Sequence, residues 1–236
     1  MSIAENVARI RAEMESAAIA AGRDPKSILL CAATNMNDAA AVREAIAAGV
    51  DCCGENKVQE LTAKLAENAY EGAPVHFIGH LQTNKVKFVV GKVDLIQSVD
   101  SQRLLAAIDK EAKKQGIVQN ILLEVNVGGE ESKSGFHPDE ILPLMDKLPQ
   151  YPNIRVKGLM AIPPISQKNG DNVKFFQKMC NISVDIITKL EDNGMAKYLS
   201  MGMSDDYTDA IRCGSNMVRI GTAIFGARDY SKPNQI

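Results

Sequence analysis

Apolar residues along this chain follow two alternating rhythms. Ile3, Val7, Ile10, Met14 and Ala18 recur at three- to four-residue spacing, one face of an amphipathic helix. Ser2 and Glu5 stand at the spacing of a capping box, in which each side chain satisfies the other's backbone N–H. Gly22 ends that segment and Pro25 stops its continuation. Apolar, strand-like runs then occupy 28–34, 50–54, 75–81, 95–99, 121–126, 156–162, 198–204 and 218–225. Helical patterns fill the intervals at 38–48, 57–66, 84–90, 101–115, 138–147, 173–192 and 205–213. The runs are continuously apolar rather than alternating, as strands covered on both faces should be. Eight such runs with seven helices between them and one in front predict an α/β fold: a single TIM-type (β/α)8 barrel over residues 1–236 with an extra N-terminal helix. No shift in composition marks a domain boundary, and 163–170, with Pro163, Pro164 and Gly170, reads as a rim loop.

Composition narrows the function classes. A formal net charge of -2 argues against a nucleic-acid or membrane-surface partner. No apolar run reaches membrane-spanning length, and charges near the N-terminus interrupt any signal-peptide core. The five cysteines, Cys31, Cys52, Cys53, Cys180 and Cys213, include no C-x-x-C and no His at ligand spacing. That usage predicts reduced thiols in a cytoplasm and no metal centre. Cys52 and Cys53 should alternate across strand two, one facing the barrel interior and one the helices, both as packing residues.

In this fold the C-terminal strand ends build the site. Here they supply Thr34 and Asn35, then Glu55 and Asn56, then His80, and farther on Ser98, Asn126 and Met160. The last two runs end in Ser200, Gly202 and Ser204, and in Gly221 and Thr222. Glycines let the backbone approach an anion closely, and hydroxyls add donors beside the exposed N–H groups. Side by side they predict a phosphate cup. Arg219, within the last run, needs a partner to be buried. His80 reads either as a ligand contact or as a satisfied structural histidine. Glu55, Asn56 and Asn126 read alternatively as caps of strand-to-helix turns. The set holds no paired carboxylates for acid–base work and no Ser-His-Asp candidate, so no catalytic residue is assigned.

Six segments together carry a resemblance: 54–60 (GENKVQE), 76–85 (HFIGHLQTNK), 132–135 (SKSG), 158–162 (GLMAI), 199–206 (LSMGMSDD) and 218–226 (VRIGTAIFG). The chain resembles the pyridoxal phosphate homeostasis protein family, single-domain relatives of the alanine racemase N-terminal barrel. The resemblance implies pyridoxal 5'-phosphate at the barrel mouth, its phosphate on Ser200, Gly221 and Thr222. It further implies Arg219 towards the pyridine nitrogen and Asn56 lining the pocket. One departure stands out. The family anchors its cofactor as a Schiff base on a lysine ending strand one, in a pattern such as Ala-Ala-Thr-Lys, and here 32–35 reads Ala-Ala-Thr-Asn35. An amide nitrogen does not attack an aldehyde, and no lysine lies between Lys26 and Lys57, so non-covalent binding is expected.

The expected function is therefore a non-catalytic, cytoplasmic pyridoxal phosphate binding protein of vitamin B6 homeostasis. Its partner is the small-molecule cofactor, with cofactor-dependent enzymes as candidate recipients. The alternatives are a racemase-like enzyme and a barrel for an unrelated phosphorylated metabolite. Related racemases take a second base from a tyrosine on a C-terminal β-domain, whereas eleven residues follow Phe225 here. An arginine at the pyridine nitrogen only donates, which leaves the ring a poorer electron sink.

Overall fold

The computed structural model describes residues 1–130, 133–164, 170–190 and 198–227. Most of the expected rim loop and the last two residues of the expected 173–192 helix lie outside them. Eight parallel strands close into one barrel in sequence order: β1 (Leu29–Ala33), β2 (Cys52–Glu55), β3 (Val75–Phe77), β4 (Leu95–Val99), β5 (Gln119–Glu124), β6 (Ile154–Met160), β7 (Tyr198–Ser200) and β8 (Met217–Ile220). β8 closes on β1 with Cys31 opposite Arg219, and β2 pairs with β1 with Cys31 opposite Cys52.

The helices are α1 (Ile3–Ala20), α2 (Ala39–Ala47), α3 (Val58–Ala66), α4 (Gln102–Gln115), α5 (Pro138–Met145), α6 (Val173–Leu190), α7 (Tyr207–Arg212) and α8 (Thr222–Phe225). The capping box that Ser2 and Glu5 predict opens α1. Four expectations are corrected. The strands expected over 75–81 and 198–204 stop at Phe77 and Ser200. The 84–90 helix is a 3-10 segment, Thr83–Phe88. The strand expected over 218–225 stops at Ile220, where Gly221 turns the chain into α8.

Two layers of core follow from the strand alternation. Outward-facing residues such as Cys53, Phe77, Ile96, Ile121 and Leu159 meet the helices, and Val7, Ile10 and Met14 of α1 pack on Leu30, Val218 and Ile220. Each of those large aliphatic side chains removes apolar area worth about 1.5–3 kcal/mol. The Tyr207 hydroxyl donates to Glu13 and ties α7 to α1. Inward-facing Cys31, Cys52, Leu95, Leu122, Met160 and Met217 fill the barrel. Cys52 thus faces the interior and Cys53 the helices, as the alternation requires. Among the described residues no helix is long and apolar enough to cross a membrane.

Candidate functional site

The C-terminal strand ends enclose a cavity of about 810 Å³. Asn35, Asn56, His80, Arg219, Gly221 and Thr222 all line it, so six of the seven expected site residues are brought together. Ser200 is the seventh, and it is placed elsewhere. It is the last residue of β7, fully buried inside the barrel, and its hydroxyl donates to Gln97 Oε1 at 2.7 Å. Gly202, at φ +95, then turns the chain back over the mouth; a Cβ there would meet the Ala210 Cβ at 2.6 Å. After that turn Ser204 lines the cavity, its Oγ accepting the Ala223 backbone N–H at 3.2 Å.

Arg219 is 4% exposed. Its Nη1 donates to Ser200 Oγ at 2.7 Å and its Nη2 to the Ala161 carbonyl at 2.9 Å, which supplies the partners its burial demands. Burial pulls the guanidinium below its ordinary value, while Cys31, Glu124 and Asp206 act in the opposite sense. His80 stands at the rim, its side chain 61% exposed and its Nδ1 3.1 Å from Asp100 Oδ2.

Asn35 is held from both sides by a buried network that the sequence did not disclose. Glu55 is fully buried, and its Oε1 accepts Thr34 Oγ1 at 2.6 Å, Lys64 Nζ at 2.7 Å and Tyr70 OH at 3.1 Å. Lys64 also donates to the Thr34 carbonyl at 2.7 Å, and Glu60 Oε2 accepts the Met36 N–H at 2.6 Å. Glu55 is therefore not a helix cap: α3 begins after Lys57 with no side-chain cap bond. Asn56 does not cap it either, its backbone lying against Gly79, where a Cβ would meet the Asn56 carbonyl oxygen at 2.2 Å. Asn126 also lines the cavity, and its Nδ2 donates to the Glu130 and Lys133 carbonyls at 2.8 and 3.2 Å.

Sequence reasoning passed over Glu124, Lys57 and Lys133 among the cavity residues. Glu124, at the end of β5, is pushed up to about 7 by burial and by Asp100, against Arg219 and His80. Lys57 and Lys133 bring two ammonium groups to the mouth, Lys57 beside Glu60 at 3.5 Å and Lys133 beside Glu130 at 3.2 Å. Ser204, expected in the cup with Ser200 and Gly202, does line the cavity. The three expected for cup or ring, Arg219, Gly221 and Thr222, share one wall with Ser204. Asn35 Oδ1 is buried without a hydrogen-bond partner, as are Glu55 Oε2 and Glu60 Oε1 of the network beside it. Donors for a phosphate, a cation for a ring nitrogen and a cavity of this volume fit a phosphorylated pyridine.

Below the cavity, Cys31, Cys52 and His76 come together although no spacing in the sequence links them. Cys52 Sγ lies 3.4 Å from His76 Nδ1, and Gln97 Nε2 lies 2.9 Å from the same nitrogen. A hydrogen bond from Cys52, helped by His76 and Arg219, draws the Cys31 thiol down, while Cys52 is pushed up.

A profile of the family described as alanine racemase, N-terminal domain, matches residues 2–229. A pyridoxal phosphate homeostasis protein of Pseudomonas aeruginosa is 41% identical over 98% of both chains. One of the same description from Aquifex aeolicus is 40% identical over 98% of this chain and all of its own. The solved structure of PipY from Synechococcus elongatus, with pyridoxal phosphate bound, superposes with a TM-score of 0.79 at 30% identity, covering 95% of this chain and 100% of that one.

Proposed function

Since the chain belongs to the alanine racemase N-terminal domain family and matches its homeostasis members from end to end, we propose that it binds pyridoxal 5'-phosphate at the barrel mouth as a non-catalytic protein of vitamin B6 homeostasis. The observation that carries this reading is the wall of Ser204, Gly221, Thr222 and Arg219 facing a cavity into which the loop after β1 brings the Asn35 amide. Hydroxyl and backbone N–H groups hold the phosphate dianion by charge-assisted hydrogen bonds whatever happens at the aldehyde. Arg219 meets the pyridine nitrogen as a donor, which keeps the ring neutral and discourages carbanion chemistry. Asn35 closes the remaining side without forming a bond to carbon. The reading leaves the protein a reservoir from which cofactor departs unmodified, with cofactor-dependent enzymes as recipients and a cytoplasmic setting.

The test is spectroscopic. Protein incubated with pyridoxal phosphate and desalted should retain the free-aldehyde absorbance, with no adduct after borohydride. Asn35→Lys should turn yellow and trap a reduced adduct at residue 35, because the network around Thr34 and Met36 already presents that position. A colourless Asn35→Lys protein in excess cofactor, or a borohydride adduct on Lys57 or Lys133 in the present sequence, would defeat non-covalent binding at this site. Failure of the unmodified protein to retain the cofactor, with tight binding of another phosphate ester, would transfer the cup to that ester.

A further inference from the structure

We infer that the barrel interior contains a second site, for a soft d10 metal ion, built from Cys31, Cys52 and His76. All three side chains are buried, and one ligand atom from each lies within 4.8 Å of the others. Metal–sulfur bonds of about 2.3 Å and metal–nitrogen bonds of about 2.0 Å place S and N about 3.5 Å apart at a tetrahedral angle. Cys52 Sγ and His76 Nδ1 are 3.4 Å apart.

The orientation of the neighbouring polar groups leaves that nitrogen without a proton. Arg219 can only donate, so its bond to Ser200 Oγ consumes a lone pair and directs the serine proton to Gln97 Oε1. With its oxygen so engaged, Gln97 presents Nε2 to His76, so Nδ1 is unprotonated, and an ion ligated there takes the lone pair that the Gln97 N–H occupies. The same amide group donates to Met217 Sδ at 3.2 Å, which brings a thioether to the edge of the cluster.

Ligand type and burial select the ion. Two thiols, one imidazole and a nearby thioether favour thiophilic Cu(I) or Zn(II) over oxygen-seeking Mg(II) or Ca(II). Each thiol that ligates forms one metal–sulfur bond and releases its proton to solvent, with no change of oxidation state. Cys52 and Met217 open β2 and β8, while Cys31 lies opposite Arg219 across β1 and β8, so the cluster fills the barrel directly beneath the cavity. An ion there touches none of Ser204, Gly221 and Thr222 and reaches Arg219 through Gln97 and Ser200. Nothing in the mechanism of cofactor binding requires two buried cysteines beside a histidine.

The experiment uses the full chain, reduced and freed of metal. Zn(II), and in a separate anaerobic titration Cu(I), is offered in competition with a chromophoric chelator. The expected result is uptake of one equivalent, an ultraviolet thiolate-to-metal charge-transfer band, and an X-ray absorption first shell containing sulfur and nitrogen. Cys31→Ser and Cys52→Ser should each weaken uptake roughly 100-fold or more, beyond what outer-shell changes typically cost. Cys180→Ser and Cys213→Ser should leave it unchanged. Uptake of either ion supports the site, and the arm that succeeds identifies which. No uptake in both titrations, uptake that persists in both Cys31→Ser and Cys52→Ser, or a first shell without sulfur overturns it. If those variants do not fold, the absorption shell of the unmodified protein decides alone.

Discussion

The Ser204 hydroxyl accepts the Ala223 N–H while facing the cavity, so its own proton is directed at whatever anion occupies the wall. The Ser200 hydroxyl is committed on both sides, to Gln97 and to Arg219. Ser204→Ala should therefore weaken binding of a phosphate ester about tenfold, one charge-assisted bond, with the melting temperature unmoved. Ser200→Ala should instead cost about 1–3 kcal/mol of stability by orphaning buried Gln97 and Arg219 groups. Titration calorimetry beside thermal scans separates the two, and a reversed pattern would return the phosphate to Ser200. Glu124 gives a pH signature. Its folded value, about 7, lies above its ordinary 4.5, so the native state keeps a proton that the unfolded chain releases. Stability from this group is then full below the lower value and lost as pH rises through the upper one. Glu124→Gln stays neutral; it should match the parent near about pH 4 and exceed it by about 3 kcal/mol near about pH 8, at roughly 1.4 kcal/mol per unit. Urea unfolding at both pH values measures this, and a pH-independent difference would mean that Glu124 ionises normally.

At the scale of elements, the loop after β3 lies directly on the loop after β2. Gly79 makes that approach possible: a Cβ would sit 2.2 Å from the Asn56 carbonyl oxygen and 2.6 Å from its Cα, backbone atoms with no rotamer to yield. Gly79→Ala should cost about 3 kcal/mol, at the upper end for overpacking, and displace Asn56 from the cavity. A melting temperature within a degree or two of the parent would show that the loops separate freely. The order of strands and helices was legible because a parallel barrel demands continuous apolar runs, and 95–99 coincides with β4. Strand ends were not. Met203, Ala223 and Phe225 extend the apolar pattern past the last ladder bonds, into segments that turn away from the sheet. Gly202 and Gly221 mark those turns, a role beyond the anion contact expected of them. The 3-10 segment Thr83–Phe88 shares its short apolar spacing with an α-helix and could not be told from one.

Across the whole molecule, legibility follows sequence distance. Asn35, Asn56, His80, Gly221 and Thr222 were found because strand ends converge by construction in this fold. The Glu55–Lys64–Tyr70 network and the Cys31–Cys52–His76 cluster were not, since each depends on side-chain direction within a register that no local spacing reveals. The row from Arg219 through Ser200 and Gln97 to His76 spans the barrel from its upper cavity to the cysteine pair. Every donor in it points the same way because its first member has nothing to accept with. A ligand that draws Arg219 upward and an ion that seizes His76 below thus act on opposite ends of one polarised thread. By thermodynamic reciprocity, whatever factor the ion imposes on cofactor affinity, the cofactor returns to the ion. A vitamin reservoir built this way would loosen or tighten its hold according to the metal status of its surroundings.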